Sequence, residues 1–141
     1  ELSKWQIKEI VKKTHTDIEV FIHGAMCACF SGRCALSNYV TNRDANRGEC
    51  AQFCRLGFDL VDEKGEILQH DKHLLSLKDM MRIEHLEAMM DAGVMSFKIE
   101  GRLKDEKYVK NVTSAYSQAI NEIISRRPNE YKRASIGSSI Y

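Results

Sequence analysis

The chain has 141 residues and 43% hydrophobic content, which suits a single domain with a real core. Twenty-one Lys and Arg against twenty Asp and Glu leave a net charge of +1, excluding a strong overall field toward nucleic acid or membrane. No apolar run reaches the ~20 residues of a membrane span, and no secretory leader is visible. The first residue is Glu1 rather than Met, and the sequence reads as a fragment of a longer protein.

In chain order, Ser3 followed by Gln6 predicts a capping box, with Trp5, Ile7, Ile10 and Val11 as the apolar face of the helix behind it. "DIEVFIHG" is predicted as a short β-branched and aromatic strand ending at Gly24. Beyond the cysteine-rich segment 23–55, "GFDLVDEKGEILQ" predicts a hairpin turning at Glu63, Lys64 and Gly65. Ser76, with Asp79 three residues on, predicts a helix start. Ile83, Leu86, Met89 and Met90 would form the stripe of that helix up to Gly93. "VMSFKIEGR" predicts a second buried strand. From about Lys104 to Arg126, Tyr108, Val109, Val112, Ala115, Tyr116, Ala119, Ile120, Ile123 and Ile124 recur at helical spacing, and Pro128 ends the helix. This order of elements predicts an α/β fold of consecutive parallel units, a sheet or a barrel. The loops after the two strands then leave their carboxyl ends, where such folds carry active sites.

All five cysteines fall between His23 and Cys54. An odd, clustered set argues against a disulfide scaffold, whose bridges close loops along the whole chain. Six residues lie between Cys27 and Cys34, fifteen between Cys34 and Cys50, and three between Cys50 and Cys54. Four thiolates can close a tetrahedral zinc site or hold an iron–sulfur cluster. Neither pair has the tight C-x-x-C spacing of zinc knuckles, so the spacing favours the cluster, with zinc and free or catalytic thiols as alternatives. Cys29, between Ala28 and Phe30, reads as a small buried hydrophobe.

Arg33, Arg43, Arg47 and Arg55 crowd the same segment and, with Asp44 and Glu49 subtracted, leave it at +2. Guanidinium donors would offset the charge of a thiolate-ligated centre, or meet a phosphate. Solvated surface charge explains any one of them equally well. His23, at the end of the first strand, either lines the site or is a satisfied core histidine. Lys98, Glu100 and Arg102 share one face of the second strand by alternation. Charges there are costly if buried unpaired, so the set is expected either to pair or to line a pocket, with Arg102 as an anion contact. Tyr108 and Tyr116 read as core.

"EVFIHGAMCACFSGRCALS" has the form E-x-F-x-x-G-(A/S)-hydrophobic-C, four residues, then G-x-C-x-x-S. Together with "NRGECAQFCR", "KHLLSLKD", "DAGVMSFKIEGR" and "YVKNVT", it resembles the collagenase-like family called peptidase U-32. "NRGECAQFCRL", "DKHLLSLKD", "GRLKDEKYVKNVTSAY" and "RASIG" resemble its branch that makes 5-hydroxycytidine in large-subunit ribosomal RNA; a sister branch hydroxylates tRNA uridine. The resemblance implies the later part of a TIM-barrel-like (β/α) domain at 1–127, with 128–141 beginning a linker. It implies an oxygen-independent hydroxylation with prephenate as co-substrate, RNA as partner, a cytoplasmic location and a 4Fe–4S cluster. The family's ligand positions fall on Cys27, Cys34, Cys50 and Cys54. Some relatives carry a cysteine where "KDMM" ends in Met81, a poor thiolate substitute, which points the fourth ligand to Cys54.

Two other functions stay open. The family name implies a peptidase, yet the chain has neither H-E-x-x-H nor G-x-S-x-G. A cysteine peptidase with Cys27 or Cys34 as nucleophile and His23, His70 or His73 as base leaves three thiols without a task. The other is a zinc-stapled RNA-binding or scaffold module.

Overall fold

A computed structural model describes residues 2–134. The "RASIG" stretch and the linker expected at 128–141 therefore lie partly outside the described residues. The chain divides into two compact units, one made of Glu1–Gly24 with Met80–Tyr141 and the other of Ala25–Asp79.

In the first unit, α1 spans Lys4–Lys13 and starts at the predicted capping box, with the Ser3 side chain accepting from the Gln6 backbone and the Gln6 side chain accepting from Ser3. β1 runs Glu19–Gly24, and β5 runs Ser96–Ile99 parallel to it. The predicted parallel pair is present, in a mixed three-stranded sheet ordered β4-β1-β5. β4 is only Met80–Met81 and pairs antiparallel with His23 and Gly24.

The helix predicted to start at Ser76 does not form there. One 3₁₀ turn at Ile83–His85 leads into α3, Leu86–Asp91. Gly93 then turns with φ +90, and a Cβ on it would lie 2.6 Å from the Val11 side chain. α4 is Glu106–Arg126, capped by Asp105, whose carboxylate accepts the Tyr108 N–H. Its stripe meets the sheet: Ile22, Leu86, Tyr116 and Ile123 form the core, packed by Val20, Phe97, Ile99 and Val112.

The second unit holds a predicted element and an unpredicted one. β2 (Phe58–Val61) and β3 (Ile67–Lys72) form the expected antiparallel hairpin. Asp62 accepts the N–H groups of Lys64 and Glu66 across its turn. α2, Ala35–Thr41, lies within the cysteine segment, where no helix was predicted. Only Ser37 is fully buried in Ala25–Asp79, so this unit has no apolar core of its own.

Candidate functional site

The thiols occupy short turns of the second unit. Cys27 is exposed, and Cys29, Cys34, Cys50 and Cys54 are half-buried. Cys34 caps α2, its sulfur accepting the Ser37 N–H at 3.3 Å. The Cys27 sulfur accepts the Cys29 N–H at the same distance. Buried Ser37 accepts the N–H of Ala51, which ties α2 to the residue after Cys50. Ser31, Asn42 and Gln52 take left-handed φ values of 50, 54 and 57. Such backbone persists only where the surroundings over-determine it, and it clusters at sites that bind.

Cys29 differs from its prediction. It is half-buried, and its thiol is pushed up to about 11, first by a hydrogen bond with Cys34, then by burial and by the neighbouring charges of Cys34, Cys27 and Cys54. It therefore stands among three of the predicted ligands. Among the described residues, however, no three His, Cys, Asp or Glu side chains are grouped so as to hold a metal ion. Cysteine sulfur is by its chemistry a donor for soft metals, and two of these sulfurs, those of Cys27 and Cys34, accept backbone N–H groups.

The four arginines separate. Arg33, Arg43 and Arg47 are exposed, Arg47 pairing with Asp44 at 3.1 Å. Arg55 is half-buried and donates to Ser76 Oγ, the Leu77 carbonyl and the Met26 carbonyl. Its guanidinium fastens the residue after Cys54 to the residue before Cys27. That task differs from the anion contact predicted for it, and long-range hydrogen bonds of this kind leave no mark in sequence spacing. The same bond explains the missing helix at Ser76, whose hydroxyl accepts from Arg55 rather than capping a turn.

The first unit carries the other predicted residues. Lys98 is exposed, with its ammonium 4.8 Å from the Phe21 ring centroid. Glu100 and Arg102 lie beyond the end of β5, and the Glu100 carboxylate accepts the Arg102 N–H at 2.7 Å. The three do not share a strand face, since β5 stops at Ile99. His23 is half-buried between two tyrosines: Nδ1 is 3.3 Å from the Tyr116 hydroxyl and Nε2 is 3.1 Å from that of Tyr108. Sequence reasoning placed both tyrosines in the core and missed their polar role. The available signal was the polar tip that a core tyrosine must satisfy.

A groove of about 650 Å³ opens in the first unit, lined by residues such as Leu2, Ile7, Val20 and Met89. It contains none of the predicted site residues. Among the described residues no helix is long and apolar enough to cross a membrane.

Comparison with known proteins fits the motif reading. The chain is 50% identical over 137 residues to a 23S rRNA 5-hydroxycytidine synthase of Escherichia coli (strain K12), covering 97% of this chain and 21% of that protein. It is 42% identical over 127 residues to a tRNA hydroxylation protein of Bacillus subtilis, covering 86% of this chain and 30% of the relative. A Porphyromonas gingivalis protein named collagenase is 42% identical over 120 residues, 85% of this chain and 32% of that one. The chain thus spans between a fifth and a third of the length of these relatives. No solved structure matches it. The sequence model of peptidase family U32 matches residues 1–139, and the chain belongs to that family.

Proposed function

We propose that this chain is part of a cytoplasmic RNA-modifying hydroxylase that makes 5-hydroxycytidine in large-subunit ribosomal RNA, or modifies a related tRNA uridine, with prephenate as co-substrate. The observation that carries the RNA reading is the 50% identity, over nearly the whole chain, to an rRNA 5-hydroxycytidine synthase. The parallel pairing of β1 with β5 supports placing the first unit within a TIM-barrel-like domain.

Cys27, Cys34, Cys50 and Cys54 would hold a 4Fe–4S cluster, which supplies electron transfer when bound. Two features support this. Ala25–Asp79 lacks an apolar core, and domains of that size need a staple such as a metal. The sulfurs of Cys27 and Cys34 already accept N–H groups. Arg33, Arg43 and Arg47, exposed on the same unit, offer guanidinium donors to prephenate carboxylates or RNA phosphates.

A peptidase is the second reading, favoured by the relative named collagenase. Its candidate bases are engaged elsewhere: His23 with Tyr108 and Tyr116, His70 with Asp59 at 2.9 Å, and His73 with the Arg55 carbonyl at 3.1 Å. The zinc-stapled module is the third.

Deleting the gene in its source organism should abolish 5-hydroxycytidine, or the tRNA hydroxyuridine, in nucleoside mass spectrometry. Unchanged levels of both would remove the hydroxylase reading. Anaerobic purification of the intact polypeptide should yield iron and acid-labile sulfide in equal amounts; stoichiometric zinc without iron favours the scaffold instead.

A further inference from the structure

The carboxyl end of β1 carries a set of hydrogen bonds that fixes which nitrogen of His23 holds its proton. The pairing of β1 with β5 slips between Phe21 and His23, so Ile22 falls out of register with β5. The Ile22 carbonyl turns instead to the Tyr116 hydroxyl at 2.9 Å and the Arg82 N–H at 3.0 Å. Tyr116 is 3% exposed, and its oxygen also receives the Arg82 N–H at 3.0 Å.

Two oxygens 2.9 Å apart repel unless a hydrogen lies between them, and a carbonyl has none to give. The single phenolic hydrogen of Tyr116 therefore points at Ile22. Toward His23 Nδ1, 3.3 Å away, Tyr116 offers only a lone pair. Nδ1 must carry the ring hydrogen, and in the neutral imidazole Nε2 is then a bare acceptor. The group in front of Nε2 is the Tyr108 hydroxyl at 3.1 Å, which donates to it.

Tyr108 sits in the first turn of α4, its N–H held by the Asp105 carboxylate at 2.7 Å. The Lys104 ammonium lies 4.7 Å from its ring centroid. An acceptor nitrogen with a fixed tautomer thus faces a phenol that donates to it.

We propose that His23 and Tyr108 form an acid–base pair in the proposed hydroxylase, with Tyr108 meeting the nucleobase and Tyr116 positioning His23. As the Tyr108 oxygen takes a proton from a ring C–H or N–H of the base, its own hydrogen passes to Nε2. One proton has then moved from ligand to imidazole, with no change in electron count, and the imidazolium later releases it to solvent. The activity arm of this inference rests on the hydroxylase reading; the tautomer does not.

The test uses the intact ¹⁵N-labelled polypeptide, with the His23 signals assigned by their loss in His23→Gln. Two-bond ¹H–¹⁵N spectra of the neutral ring should show Nδ1 protonated and Nε2 bare, the form less populated in free histidine. Tyr116→Phe should release the ring to the Nε2–H form. An Nε2–H pattern in the unsubstituted protein overturns the inference. If Tyr116→Phe does not fold, the unsubstituted spectrum and Tyr108→Phe decide. On RNA lacking the modification, Tyr108→Phe should lower kcat by about 10²–10⁴-fold with KM little changed. Full turnover in Tyr108→Phe, with the ring of His23 still in the Nδ1–H form, makes the pair structural and ends the proposal. A protein with the expected tautomer but no hydroxylase activity would instead sink the functional reading alone.

Discussion

The two units are ordered by different physics. In Glu1–Gly24 with Met80–Tyr141, Ile22, Leu86, Tyr116 and Ile123 are nearly or fully buried, and the hydrophobic effect holds sheet to helices. In Ala25–Asp79 the one fully buried side chain is polar, Ser37, and order comes from Arg55, from turn carboxylates and from left-handed residues. A chain that buries so little apolar surface needs some other bond to offset its conformational entropy. The proposed cluster would supply that bond where the thiols are.

The largest expected effect follows from this contrast. Removing the proposed cluster from the intact anaerobic protein with a chelator and oxidant should strip hydrogen-exchange protection from Ala25–Asp79 and leave that of Glu106–Arg126 in place. Equal protection in both units with and without metal would erase the distinction. Within the first unit, Leu86→Ala should destabilise by about 2–5 kcal/mol, because the side chain is 0% exposed. Leu68→Ala, on the hairpin and more than half exposed, should stay within about 0.5 kcal/mol. Denaturant midpoints of the two variants check both; similar losses would mean the hairpin has a hidden core.

Glycines sharpen the same comparison at a smaller scale. Gly24, at φ +112, would place a Cβ 2.4 Å from the Glu100 carbonyl oxygen where β1 and β5 converge. Gly65, at φ +84, would place one in open space. Both alanine variants carry a backbone penalty of about 1 kcal/mol, and Gly24→Ala adds displacement of β5. Gly24→Ala should therefore lower Tm well below Gly65→Ala. Equal Tm values would show that the strand ends can spread freely.

What could be read in advance follows from how local each cause is. The Ser3–Gln6 box, the Asp62–Gly65 turn and the stripe of α4 are set by residues a few positions apart, so spacing reveals them. β4 is two residues long and carries no period, and α2 hides because only one of its seven residues is buried. Ser76 looked like a cap because a hydroxyl three residues before an acid usually is one; its actual partner is Arg55, twenty-one residues away. The thiol set was visible as a composition, while its arrangement around Cys29 depends on turns that no periodicity encodes. Tyr116 was rightly placed in the core, whereas Tyr108 is half-buried outside it, and spacing cannot say which atoms a hydroxyl reaches.

The smallest effect concerns the segment after α4 and runs against pH. Arg127 reaches Glu87 at 3.0 Å, Asp91 at 2.9 Å and Glu130. Glu87 is held below the ordinary carboxylate range by Arg126 and Arg127, Asp91 by the Tyr131 hydroxyl and Arg127, and Glu130 by Arg127. The folded chain keeps these groups charged where the unfolded chain would bind protons. Their contribution is complete above the ordinary carboxylate values of about 4 and fades as pH falls through the lower folded ones. Tyr131 gives the opposite limb. Burial, then its bond to Asp91, pushes it up to about 12, so stability linked to it falls as pH climbs from the ordinary value of 10 toward that point. The three carboxylates are partly open to water, so the acid limb should shrink in high salt. Thermal unfolding followed from about pH 5 to pH 2 should show a shallower decline for Arg127→Gln than for the unsubstituted chain. Parallel declines would mean that Arg127 only decorates the surface and that the first unit's core alone holds residues 128–134 against α3 and α4.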